Sequence, residues 1–212
     1  AGHGRNAAAM TEASVGDWVD DMAEAMAIGN RLGERVVVIG SSTGATLATL
    51  AASRPDLSQH LTGLVALSPN YGLSDWHSFA LTLPFARTIL PYVGDDTTTY
   101  APPTEAFAQN WTTSYPTTAL LPMARLVEVV RGLDFSAIRV PALFVTSPAD
   151  AIVRADETAR IASDWGAPHQ SISIADSGDP AQHILAGEIV SPATTERLAG
   201  EIADWITRLP GL

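Results

Sequence analysis

Apolar residues along this chain follow two rhythms that alternate. Trp18, Met22 and Met26 recur at i, i+4 and i+8. That spacing predicts a helix over 17–33, with Ser14 or Asp17 as its cap and Gly33 as its stop. The rhythm then breaks into "RVVVIG", four consecutive β-branched residues between a charge and a glycine, which predicts a buried strand. "ATLATLAAS" reads as a helix closed by Arg54-Pro55, and "LTGLVALSP" as a second strand. Further on come a helix in "ALLPMARLVEVVRG", a third strand in "PALFVTS", a helix in "ADETARIASDWG" and a fourth strand in "QSISIA". Ser191-Pro192 opens the last helix, with Leu198, Ile202, Trp205, Ile206 and Leu209 on its inner face. Residues 1–13 are small and unpatterned and read as loop.

Strands alternating with helices predict an α/β fold with a mostly parallel sheet and flanking helices. The interval between the second and third strands is far longer than one crossover helix. Within it, residues 74–118 hold eight of the chain's aromatics and five of its 14 prolines. The expected organisation is therefore a core made of 1–73 and 136–212, with 74–135 inserted as a cap. Trp76 and Phe79 are candidates for lining a substrate pocket under that cap. Equally, such aromatics can form the insert's own core.

Composition narrows the function. The chain has 212 residues, 46% hydrophobic and 17% charged, enough for one sizeable globular core. Net charge is −11 and all 12 basic residues are arginine, which argues against a nucleic-acid partner. There is no cysteine, so disulfides and thiolate metal sites are excluded. No stretch is long and apolar enough to span a bilayer.

The chemistry enters at Gly40-Ser41-Ser42-Thr43-Gly44. The spacing is G-x-S-x-G, with a strand before it and a helix after it. Such a turn bends sharply, strains its middle serine and leaves room only for small residues two before and two after it. It would expose Ser42 at the C-terminal edge of the sheet and set the Thr43 N–H at a helix N-terminus, suited to an oxyanion. Ser41 lacks the flanking glycines. A plain turn, or a phosphate-cradling loop, is the competing reading.

A serine nucleophile needs a base, and the base an orienting acid. His3 lies in the unpatterned N-terminus, His60 in a turn, His77 in the insert, and His169 at the wrong end of a strand. His183, in "SGDPAQHILAG", leaves the C-terminal end of the fourth strand and is the placed base. Asp150 leaves the third strand in the same way and is the leading acid. Asp176 and Asp179, close to His183 in sequence, are the runners-up. Asp156 reads as a solvated helix residue.

With these residues in view, the chain resembles the C-terminal two-thirds to three-quarters of an α/β-hydrolase. It looks most like the capped carboxylesterase, lysophospholipase and monoacylglycerol-lipase-like branch. The likeness rests on "IGSSTG", "ALSPN", "VPALFVTSPADAIV" and "GDPAQHILAG". It implies Ser42 as nucleophile, His183 as general base and then acid, and Asp150 as its partner, with no metal or cofactor. The implied reaction is carboxylic ester hydrolysis through an acyl-enzyme. An acyltransferase using the same triad, or a catalytically incomplete fragment, are the alternatives. Members of this family have a His-Gly strand end well before the elbow that supplies a second oxyanion donor. Here His3-Gly4 resembles a later loop instead. The first family strands are expected from a further N-terminal segment of the same polypeptide, a second chain or an oligomer. The substrate is expected to be a small-molecule ester; the compartment is open.

Overall fold

The first helix is set by its start. Ser14 Oγ accepts the Asp17 N–H at 3.2 Å, and Asp17 Oδ2 accepts the Ser14 N–H at 2.7 Å. Both cap candidates thus serve in one reciprocal box, worth about 1 kcal/mol, which starts α1 at Val15–Leu32. The Ser14 hydroxyl, followed by its backbone N–H, holds the Asp17 carboxyl below its ordinary value. The computed structural model describes residues 1–93 and 95–210, apart from the side chains of Trp76, His77, Leu90, Pro91 and Val93. Expectations placed on the Trp76 and His77 side chains therefore lie outside the described residues.

The chain continues through β1 (Val36–Ser41), α2 (Thr43–Ser53), the single turn α3 (Pro55–Ser58) and β2 (Leu61–Leu67). The long interval then holds α4 (Ala86–Val93), β3 (Thr97–Thr99), α5 (Glu105–Asn110), β4 (Ser114–Pro116) and α6 (Leu120–Arg131). It is followed by β5 (Ala142–Thr146), α7 (Ala155–Ser163), β6 (His169–Ser173) and α8 (Pro192–Thr207). Strands β1, β2, β5 and β6 form one parallel sheet in that order. The fold is α/β, with helices on both faces.

Period-two alternation divides the core. From β2 and β5, Leu64, Ala66, Ala142 and Phe144 face α1, α2, α6 and α7; Val65, Leu143 and Val145 face α8. There Leu198, Ile202, Trp205 and Leu209 close the second layer. Burial on both faces explains the unbroken apolar runs in these strands.

Four local expectations change. Residues 1–13 are not all loop: Asn6 Oδ1 accepts the Ala9 N–H and starts a 3₁₀ turn over Ala7–Thr11 that buries Ala9. The fourth strand begins at His169, one residue before "QSISIA". Strands β3 and β4 form a small antiparallel pair that no periodicity announced, since three residues carry no detectable alternation. The β-branched run of β1, expected as a buried strand, stands instead at the sheet's edge with none of its residues buried and Ile39 54% exposed. Among the described residues, no strand lies on its far side.

Candidate active site

The bend between β1 and α2 is strained at one residue. Ser42 has φ 51° and ψ −122°, outside the regions a side-chain-bearing residue prefers. Such a conformation costs on the order of 1–3 kcal/mol and must be held by its surroundings. The Ser42 N–H donates to Leu67 O at 2.9 Å, and its carbonyl accepts the N–H groups of Ala45, Thr46 and Asn70 at 3.0, 3.2 and 3.2 Å. Gly40 is forced by sterics, since a Cβ there would lie 2.7 Å from backbone atoms of Ala45. The same argument fails at Gly44. A Cβ there meets nothing within 4 Å, and the residue lines the cavity in front of Ser42. Gly44 leaves space for a ligand rather than for its own backbone.

The base arrives on the loop after β6. Asp179, 8% exposed, folds that loop by accepting N–H groups from Ala181 at 3.1 Å, His183 at 3.0 Å and Ile184 at 2.8 Å. The ring of His183 is thereby aimed inward. Its Nε2 lies 3.0 Å from Ser42 Oγ, and its Nδ1 lies 2.9 Å from Asp150 Oδ2. The other oxygen of Asp150 accepts the N–H groups of Ile152 and Val153 at 2.8 and 2.9 Å. A carboxylate facing Nδ1 fixes that nitrogen as N–H donor and leaves Nε2 to accept the serine proton.

The remaining candidates fall elsewhere. Asp179 touches the backbone of His183, not its ring. Asp176 pairs with Arg197 on the surface at 2.6 Å, which holds its carboxyl below its ordinary value. Asp156 is likewise an exposed partner of Arg154. His169 opens β6, remote from the strand's C-terminal end. Phe79 is 54% exposed and lines a neighbouring cavity rather than the one holding Ser42.

The cavity in front of Ser42 has a volume of about 490 Å³ and is walled by Thr43, Leu47, Tyr115, Leu120 and Met123 among others. Thr43 is the first residue of α2, so its N–H is one of the helix's unpaired N-terminal donors. Such a donor, with the positive end of the helix dipole, suits an oxygen that gains negative charge.

Asn70 and Met123 were not singled out by the sequence. Asn70 is 2% exposed, ties its backbone N–H to the Ser42 carbonyl and approaches Met123 Sδ with Nδ2 at 3.0 Å. Its place three residues beyond the end of β2, beside the elbow, was the available signal.

A family model described as serine aminopeptidase, S33, matches residues 1–179. No curated protein matches the chain. Among solved structures, a metagenome-derived lipolytic enzyme of the LipS and LipT study superposes with a TM-score of 0.69 at 19% identity, covering 98% of this chain and 78% of that one. A monoacylglycerol lipase from Paleococcus ferrophilus gives 0.68 at 17% identity, covering 96% and 77%. A monoglyceride lipase from Saccharomyces cerevisiae, solved with a substrate analogue, gives 0.64 at 8% identity, covering 92% and 68%. At these identities the likeness concerns the fold.

Proposed function

The chain belongs to the serine aminopeptidase S33 family of α/β-hydrolases, and from that premise we propose that it is a serine hydrolase of carboxylic esters. The observation that carries this reading is the continuous hydrogen-bonded line from Ser42 Oγ through the His183 ring to Asp150, at 3.0 and 2.9 Å. In this mechanism His183 Nε2 takes the serine proton as Oγ attacks the ester carbonyl. The negative charge forming on the carbonyl oxygen meets the Thr43 N–H, and the imidazolium is held by Asp150. Collapse releases the alcohol, which takes the proton from His183. Water, activated by the same ring, then attacks the acyl-enzyme, frees the acid and restores Ser42. From the interval between β2 and β5, Tyr115, Leu120 and Met123 wall the pocket. The apolar character of those walls and the lipase neighbours support an ester rather than a peptide substrate.

Turnover of p-nitrophenyl acetate by the wild type and by Ser42→Ala tests the reading. Loss of about three orders of magnitude or more in the variant, with the fold kept, is the expected result. Activity within tenfold of wild type would remove Ser42 from the mechanism.

A further inference from the structure

The pocket in front of Ser42 has a larger neighbour. A second cavity of about 770 Å³ shares Asn70, Leu73 and Met123 with it as a common wall. Neither Ser42 nor His183 lines this second space, so no bond is broken there. Met123 projects into the wall from α6 and is only partly buried. An unbranched thioether with three rotatable bonds is the kind of side chain that can swing aside for a ligand.

The second cavity is of mixed character. Leu73, Phe79, Leu81 and Val127 give it apolar walls, while Arg131 and Arg154 bring in two guanidinium groups. Both reach the same oxygen of the buried Glu157, each at 3.4 Å, and Arg160 takes the other oxygen at 3.1 Å. Three of the chain's 12 basic residues thus gather around one carboxylate. Arg154 also grips Asp156 with two bonds. Arg131, half-exposed, makes that single long bond to Glu157, and a guanidinium carries five N–H donors, so most of its donor capacity is left for a ligand in the cavity it lines. The flat fork of such a group suits a carboxylate or a phosphate. Asp75 and Glu128 line the same space, and the net charge is −11, which favours the single charge of a carboxylate over a doubly charged group.

Resting on the ester-hydrolase reading, we propose that the second cavity holds the far end of the substrate's acyl chain. Met123 governs passage into it, and Arg131 selects a chain that ends in a carboxylate. The preferred substrates are then half-esters of dicarboxylic acids. Water is the only co-reactant, and the products are an alcohol and the free dicarboxylate.

The test compares kcat/KM for p-nitrophenyl acetate, p-nitrophenyl nonanoate and the mono-p-nitrophenyl ester of nonanedioic acid. The wild type should prefer the carboxylate-ended nine-carbon ester to the plain one, and Arg131→Gln should erase about tenfold of that preference. Met123→Trp should lower the ratio of nine-carbon to acetate turnover by about tenfold, whereas Met123→Ala should hold or raise it. Equal treatment of the two nine-carbon esters by the wild type, or a preference that survives Arg131→Gln, would overturn the proposal. So would a chain-length ratio indifferent to both Met123 variants. Calorimetric titration of monomethyl nonanedioate into Ser42→Ala reads the site without turnover. There, adding Arg131→Gln should weaken binding about tenfold, and undiminished binding overturns the site. A wild type that binds this half-ester through Arg131 but cleaves no ester would sink the hydrolase reading and leave the cavity assignment standing.

Discussion

Asp179 is hydrogen-bonded to His183 through the backbone N–H, at 3.0 Å, and not through the imidazole. The ring faces a different carboxylate, Asp150, at 2.9 Å. Two acids of the same type, both near one histidine, are thereby given separate tasks. One shapes the loop, and the other orients the ring and meets the charge that forms on it.

Asp150→Asn is therefore expected to cost far more in kcat than Asp179→Asn. An amide facing Nδ1 can present its NH₂ and reverse the tautomer, a change that costs about 10⁴ in a well-characterised serine protease. Asp179→Asn keeps one oxygen for the loop's N–H groups, so its main effect should be on thermal stability, with a smaller fall in rate. Steady-state kinetics and melting curves on both variants check this. A larger rate loss for Asp179→Asn would reverse the roles.

The two glycines of the elbow should separate in the same way. Gly40→Ala places a methyl 2.7 Å from the backbone of Ala45, a clash that neither neighbour can relieve without breaking the turn. Gly44→Ala meets open space. Gly40→Ala should give little folded protein. Gly44→Ala should fold with a near-native melting temperature and show a raised KM, because its methyl enters the pocket. Equal tolerance of both would contradict the steric account.

Activity should rise with pH across the acid-to-neutral range, because only the neutral ring accepts the Ser42 proton. The sign is fixed: protonation at low pH occupies Nε2 and stops attack. A pH–kcat/KM profile that is flat over that range would exclude a histidine base.

Most of the sheet could be read from the chain because its two central strands, β2 and β5, are buried on both faces and β1 carries an unbroken β-branched run. The runs in "RVVVIG" and "PALFVTS" need no partner to be recognised, and their C-terminal ends locate the loops that carry Ser42 and Asp150. What could not be read was geometry set by sequence-distant contacts. The division of labour between Asp150 and Asp179 depends on how residues 179–184 coil around one carboxylate. The open space beside Gly44 depends on α6, which comes from far along the chain. The three-residue strands β3 and β4 were too short for any period to appear.

The outer edge of β1 carries a further expectation. Ile39 is 54% exposed on a strand whose β-branched run suits a covered position. Another strand is expected to pair along Val36–Ile39. Backbone amide exchange along β1 as slow as that along β5 would agree. Exchange orders of magnitude faster in β1 would show an edge left open.

The central claim is that Ser42 is a nucleophile made reactive by His183. Covalent labelling with a fluorophosphonate, read by intact mass and peptide mapping, tests it most directly because it needs no knowledge of the natural ester. One phosphonyl adduct on Ser42 is expected, with none in Ser42→Ala and much slower labelling in His183→Ala. An unlabelled wild type, or an adduct that persists in Ser42→Ala, would contradict the account.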